Sequence, residues 1–241
     1  MKILITGTTS GLGKYLYENI PNSRALNRDN ADDISNYNST FDVIIHNAFS
    51  PQGANKNNIQ DYYKYVNDNL LITKKLVDLK PKKFIYISSG DVYRDEFSVY
   101  KYTKLFAESI IENELDNYCV LRCAAMLGKY MRPNTFTKIL KEKNPVLTLS
   151  KNSKFNYILH SDICDFILEV MKKDIKGNFD FSSSVITLEK VVELLKGNPK
   201  YGNYTYIGPP MDNSSIVKLN KKFDKSSEQV INKFINQITN V

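Results

Sequence analysis

Short strand-like runs and amphipathic stretches alternate through the first half of the chain. The runs fall near 2–6, 23–27, 42–46, 83–88 and 118–123, with the length and flanks expected of buried strands. Between them, helices are predicted near 11–20, 55–80 and 97–115. The long middle helix should stop at Lys80, because Pro81 cannot continue it. Alternation of this kind predicts a parallel sheet covered on both faces, with right-handed crossovers. After Arg122 the pattern changes, and Pro133, Pro145 and Gly177 break the chain into shorter pieces. Helices are predicted near 134–143, 161–173, 187–196 and 226–239, and strands near 146–149, 155–158 and 178–182. Gly202, Gly208, Pro209 and Pro210 mark loops. The fold class is α/β, with a doubly wound parallel sheet over 1–125. A small α+β part over 126–241 is interleaved with it and not cleanly separable.

The turn after the first strand makes this a Rossmann-type sheet. Lys2-Ile3-Leu4-Ile5 runs into Thr6-Gly7-Thr8-Thr9-Ser10-Gly11-Leu12-Gly13, and a helix follows to Ile20. Strand, glycine-rich turn and helix in this order are what a dinucleotide fingerprint requires. Glycines let the backbone turn sharply and approach a pyrophosphate, and the helix N-terminus offers N–H groups and positive dipole.

A second signal lies some ninety residues on. Tyr100 and Lys104 are four apart, so they share one face of a helix. An ammonium beside a phenol should lower the Tyr100 pKa toward a useful acid/base range. The spacing is cheap in a chain with 16 tyrosines; its weight comes from position. It follows the run Lys83 to Ile87, which ends in Ser88-Ser89. A hydroxyl at a strand's carboxyl end, then a Tyr and a Lys on the next helix, suits the binding of a carbonyl oxygen.

Taken in order, these segments resemble a short-chain dehydrogenase/reductase of the extended, NAD-dependent epimerase/dehydratase type that acts on nucleotide sugars. The turn's Gly7, Thr9, Ser10, Gly11, Leu12 and Gly13 resemble the family's cofactor loop, although its extended members usually have glycine where Ser10 stands. Asp32-Asp33-Ile34 resembles the acidic segment that meets the adenine, which implicates Asp33 and Ile34. Val43 to Ala48 resembles the strand and turn beneath the adenosine, with Asn47 and Ala48 at its end. Asn69 resembles the family's helix asparagine. Ser88-Ser89-Gly90-Asp91-Val92-Tyr93 resembles its Ser-Ser-x-x-Val-Tyr, which places the catalytic hydroxyl on Ser89. Leu121-Arg122 with Gly128 resembles the strand and loop that lead to the substrate, and Phe155 to Asp162 resembles a late segment preceding a helix. The resemblance implies catalysis by Ser89, Tyr100 and Lys104, the last two also touching the cofactor. It implies a nucleotide-sugar substrate, as in surface polysaccharide biosynthesis. The C-terminal part is short for such a family.

Composition narrows the alternatives. No apolar run approaches the length of a membrane span, and strand and turn begin at the N-terminus, leaving no room for a signal peptide. Cys119, Cys123 and Cys164 lack zinc spacing and read as reduced core thiols in a cytoplasmic protein; no metal is expected. The net charge of +7 could suggest nucleic acid, but no binding module for it appears. Seven cations lie between Lys129 and Lys154 against one acid, Glu142. Most read as a solvated face. Arg132 is the candidate to meet a substrate diphosphate, since its fork suits phosphate oxygens. The expected partners are the nucleotide sugar and, at most, a second copy in a homodimer.

Cofactor and reaction remain to be weighed. The second strand ends in Asn27-Arg28, not in the acid that would bind a ribose 2′-hydroxyl, so NADP(H) is favoured with Arg28 on the 2′-phosphate. Asp29, Asp32 and Asp33 keep NAD(H) open. Dehydratases that the chain resembles carry an Asp-Glu pair directly after the catalytic hydroxyl; here stand Gly90 and Asp91. Asp91 occupies the place where some epimerases add a further acid/base, and it is a candidate substrate contact. Carbonyl reduction needs only Ser89, Tyr100 and Lys104, which favours a 4-keto reductase. A C4 epimerase, a combined epimerase/reductase and a non-catalytic dinucleotide sensor are the competing readings.

Overall fold

The computed structural model describes residues 1–27, 30, 34, 41–50 and 59–239. In chain order its elements are β1 (Ile3–Thr6), α1 (Gly11–Asn19), β2 (Ser23–Leu26), β3 (Val43–His46), α2 (Ile59–Asp78), β4 (Lys83–Ser89), α3 (Val99–Glu114) and β5 (Tyr118–Cys123). Then follow β6 (Ala125–Leu127), α4 (Thr135–Lys141), β7 (Lys154–Phe155), β8 (Tyr157–Leu159), α5 (His160–Lys172) and β9 (Gly177–Phe181). β10 (Ile186–Thr187), α6 (Leu188–Leu195), α7 (Ser214–Leu219) and α8 (Ser227–Thr239) complete the chain, with 3-10 turns at Gly90–Tyr93 and Lys221–Phe223.

Six strands form one parallel sheet in the order β2-β1-β3-β4-β5-β9. The strand period of two sorts its side chains onto two faces. Ile3, Ile5, Val43, Ile45, Ile85 and Leu121 pack against Leu12 and Leu16 of α1 and Ile163, Phe166 and Ile167 of α5. Leu4, Ile44, Phe84, Tyr86 and Val120 face the other way, onto Leu76 and Val77 of α2 and Ala107 and Ile111 of α3. Burial on both faces explains why these strands read as continuous apolar runs. α2 ends at Asp78, and Lys80 takes a left-handed conformation, φ 46°, just ahead of Pro81.

The C-terminal part returns to the same sheet. β9 adds beside β5 in parallel register, and α5 covers the α1 face. A separate core gathers Leu127, Phe136, Tyr157, Leu188, Ile231 and Phe234. Two small sheets pair β6 with β8 and β10 with β7. Lys225 and Lys233 both reach the buried Asp162 carboxylate, at 2.7 and 3.1 Å, and tie the C-terminal segment to α5.

The expected strand at 146–149 is a correction. That segment makes only isolated bridges, Val146 to Lys200 and Leu149 to Tyr204, because Pro145 lacks an N–H and the facing 200–207 segment is itself irregular. Among the described residues, no helix is long and apolar enough to cross a membrane.

Candidate active site

The sheet order reverses at β1 and β3, and a cleft of about 1190 Å³ opens beyond the strands' carboxyl ends. This is where open α/β sheets bind ligands. Gly7, Thr9, Ser10, Gly11 and Leu12 line it on one side, and Asn47, Ala48 and Asn69 on another. Tyr100, Lys104 and Arg132 also border it.

The three glycines do different work. Gly7 has φ 73°, and a Cβ there would lie 2.8 Å from the Ala48 Cα. Gly11 has φ 57° and faces the cleft, where a Cβ would meet only the Tyr130 carbonyl at 4.0 Å. A Cβ on Gly13 would lie 2.2 Å from the Gly7 carbonyl oxygen and 2.6 Å from Asn47 Nδ2. Gly13 therefore lets helix and strand pack together and does not line the cleft, a correction to its expected approach to phosphate. Ser10 caps α1 without a side-chain hydrogen bond, and the first turn holds no acid; the Gly11 N–H is taken by the Tyr130 carbonyl at 2.9 Å, and the helix dipole beyond it favours an anion. Glycine turn, acid-free helix end and cleft volume fit a dinucleotide.

Beneath the cleft a hydrogen-bonded chain holds β1, β3 and α2 together. The Thr6 hydroxyl accepts the N–H groups of Asn47 and Ala48, at 3.1 and 2.9 Å, and bonds His46 Nδ1 at 2.9 Å. His46 Nε2 meets Thr73 Oγ1 at 2.9 Å, and Thr73 donates to the Asn69 carbonyl. Burial pushes the His46 pKa down to about 3, so the ring is neutral. The Asn69 side chain accepts the Ser50 N–H at 2.7 Å; it positions the loop after β3 while bordering the cleft.

The two serines at the end of β4 diverge. Ser88 Oγ donates to the buried Glu108 carboxylate on α3, which is also held by Arg122 at 2.7 Å. Arg122 in turn donates to the Tyr93 hydroxyl at 2.7 Å. Ser89 Oγ accepts the Asp91 N–H at 3.2 Å, and its hydrogen bond with Tyr100 favours the phenolate. Burial outweighs that bond and raises the Tyr100 pKa to about 12. The expected lowering by Lys104 is thus corrected. The ammonium is turned to the Ile87 carbonyl at 2.8 Å and lies over the rings of Phe49 and Tyr86, at 4.4 and 4.7 Å. Lys104 is only 3% exposed, and burial lowers its own pKa to about 7.

Behind Ser89 lies a smaller pocket of about 150 Å³. Ser89, Gly90 and Asp91 form one wall, the end of β5 another, and residues 206–211 a third. Asp91 Oδ1 accepts from Arg94 Nε at 2.9 Å, and Arg94 stacks over Tyr206 at 4.6 Å.

Other expected site residues fall elsewhere. Ile34 is buried in the core with Leu4, Leu26 and Phe41, not in the cleft. Arg28 and Asp33 lie outside the described residues. Of the basic stretch, Arg132 borders the cleft, whereas Lys138 donates to the Val146 carbonyl and Lys151 pairs with Glu189. Phe49, edge-on to Tyr100 at 5.0 Å, escaped the sequence reading; an aromatic after a strand carries no periodic signal. The same holds for Phe155, Tyr206 and Met211 in the smaller pocket. His160, buried with Nδ1 unpartnered, lines the cleft beside Leu12 and Met126.

The model of the NAD dependent epimerase/dehydratase family matches residues 3–181. No curated protein matches the chain. Among solved structures, it is similar to a variant of the UDP-glucuronic acid 4-epimerase from Bacillus cereus in complex with NAD and UDP-4-deoxy-4-fluoro-glucuronic acid. That likeness has a TM-score of 0.79 at 19% identity, over 99% of this chain and 100% of that one. The Helicobacter pylori ADP-L-glycero-D-manno-heptose-6-epimerase gives 0.79 at 17% identity, over 100% and 96%. A dTDP-4-dehydrorhamnose reductase from Bacillus anthracis in complex with NADP gives 0.76 at 15% identity, over 98% of each.

Proposed function

Since the chain belongs to the NAD dependent epimerase/dehydratase family, we propose that it is an NAD(P)-dependent 4-keto reductase of a nucleotide-linked 6-deoxy sugar. Ser89, Tyr100 and Lys104 are its catalytic residues. One observation carries this choice against the family's eliminations and against epimerisation beside a ketone; against a C4 epimerase, which needs no such group, the ground is the short C-terminal part. The places directly after Ser89 where a further acid/base would stand supply none: Gly90 has no side chain, and Asp91 is engaged by Arg94. Elimination and epimerisation beside a ketone both need such a group, and carbonyl reduction does not.

The bound nicotinamide supplies the hydride. Ser89 and Tyr100 hold the substrate's carbonyl oxygen. With its pKa near 12, Tyr100 stays protonated at neutral pH and delivers its proton to that oxygen, as an acid must. Lys104, beneath the cleft, holds the cofactor's ribose. Arg132 borders the cleft close enough for its charge to act on Tyr100, and it is our candidate for the substrate's diphosphate. NADP(H) is favoured over NAD(H) because Asn27, not an acid, follows β2 at the cleft edge.

The test is product analysis with dTDP- and UDP-linked 4-keto-6-deoxy sugars. A reductase oxidises added NADPH or NADH one for one with product. Interconversion of two sugars without net cofactor use, with NAD retained through purification, would replace this reading by the C4 epimerase.

A further inference from the structure

The smaller pocket lies on the far side of Ser89 from the cleft. Tyr100 borders the cleft, Ser89 borders the pocket, and the two are hydrogen-bonded. A carbonyl oxygen held by both therefore sits at the boundary, with the cofactor on one side and the sugar on the other. The pocket, about 150 Å³ and open to solvent on one side, admits a sugar ring.

Residues far down the chain decide what meets the ring. A backbone bridge seats the 206–208 segment: Lys154 N–H donates to the Tyr206 carbonyl at 2.7 Å, and Gly208 N–H to the Lys154 carbonyl at 2.9 Å. That segment carries Pro209 and Met211 over Gly90. A Cβ on Gly90 would lie 2.4 Å from the Met211 sulfur and 3.3 Å from Pro209 Cγ. The backbone just beyond Ser89 is thus capped by a thioether. Ala124, Ala125 and Cys123 continue the apolar wall opposite.

The polar groups are few and mostly committed. Asn156 Nδ2 donates to the Ser183 carbonyl at 2.8 Å. Asp91 is the pocket's charged group. The nearby cation, Arg94, is held by Asp91, by the Ile207 carbonyl at 3.3 Å and by the Tyr206 ring. A sugar carboxylate would face Asp91 without a free cation to meet it, and an added hydroxyl would have to lie against Met211.

Resting on the reductase reading above, we infer that Met211 is a specificity-determining residue. Its thioether closes the pocket over Gly90 and selects a sugar with a methyl group, in place of hydroxymethyl or carboxylate, on the ring carbon next to the reacting one.

The test needs no turnover. Three 4-hydroxy sugars of the product form, which NADPH cannot reduce, differ only at carbon 6 (methyl, hydroxymethyl, carboxylate) and are titrated into the NADPH-loaded protein, in both the UDP and dTDP series. The wild type is expected to bind the methyl sugar at least about tenfold more tightly than the hydroxymethyl one, the usual reach of a pocket that discriminates by one small group, and the carboxylate most weakly. Met211→Ala should bring the first two within about twofold of each other, with an unchanged melting temperature. Equal wild-type affinities, a preference for the carboxylate, or a ratio unmoved by Met211→Ala would overturn the inference and leave the reductase reading standing. Failure of all three sugars to bind would overturn both.

Discussion

Ser88 donates its hydroxyl to the buried carboxylate of Glu108, twenty residues on and one face of a helix away. That bond commits the Ser88 hydroxyl to the contact between β4 and α3, although Ser88 and not Ser89 borders the cleft, and leaves the Ser89 hydroxyl to Tyr100. Ser88→Ala should therefore cost stability, about 1–3 kcal/mol for a hydrogen bond to a buried charged group, with turnover nearly kept. Ser89→Ala should do the reverse. Paired melts and rates distinguish them; a larger rate loss in Ser88→Ala would exchange the two roles.

Tyr100→Phe is expected to lower kcat by about a hundredfold or more, the range of a general acid, while the cofactor still binds. Steady-state rates and a cofactor titration on the same preparation check it. Near-wild-type turnover would remove Tyr100 from the chemistry.

Lys104 should make stability depend on pH. Its folded pKa, about 7, lies below that of an unfolded lysine, so between the two values the unfolded chain binds more protons. Stability then rises with pH through that window. The penalty is fully present below pH 7 and is relieved as the unfolded lysine loses its proton. In denaturant melts, wild type should gain on Lys104→Met between pH 7 and 10, by on the order of a few kcal/mol. A constant difference across that range would contradict the burial of a charged Lys104.

Gly13→Ala and Gly11→Ala should fail differently. The first places a Cβ 2.2 Å from the Gly7 carbonyl and is expected to unfold or strongly destabilise the chain. The second meets open space but holds alanine at φ 57°, a cost of about 1–2 kcal/mol. It should fold, with weakened cofactor affinity. Circular dichroism and a cofactor titration separate fold from binding.

The sequence-based expectation that Arg28 pairs with a 2′-phosphate makes Arg28→Ala reduce kcat/KM with NADPH more than with NADH. An NADH preference indifferent to the substitution would assign the cofactor the other way.

Much of this was legible along the chain because it depends on local periodicity. Ile3 to Gly13 shows strand, turn and helix within eleven residues, and the continuous apolar runs of the buried strands needed no partner to be read. Tyr100 and Lys104 share a face by helix geometry alone. The tertiary structure decided what depends on distant atoms. It packed Tyr100 partly out of water and raised a pKa that adjacency to Lys104 was expected to lower, because desolvation is set by everything packed around a group. It moved Gly13 from the phosphate to the helix–strand contact, and Ile34 from the cofactor to the core. It also brought Pro209 and Met211 over Gly90, more than a hundred residues away, with the segment before them held by backbone bridges to Lys154. An irregular segment docked by main-chain hydrogen bonds leaves no period in its side chains, so this wall of the smaller pocket was the part the sequence could not show.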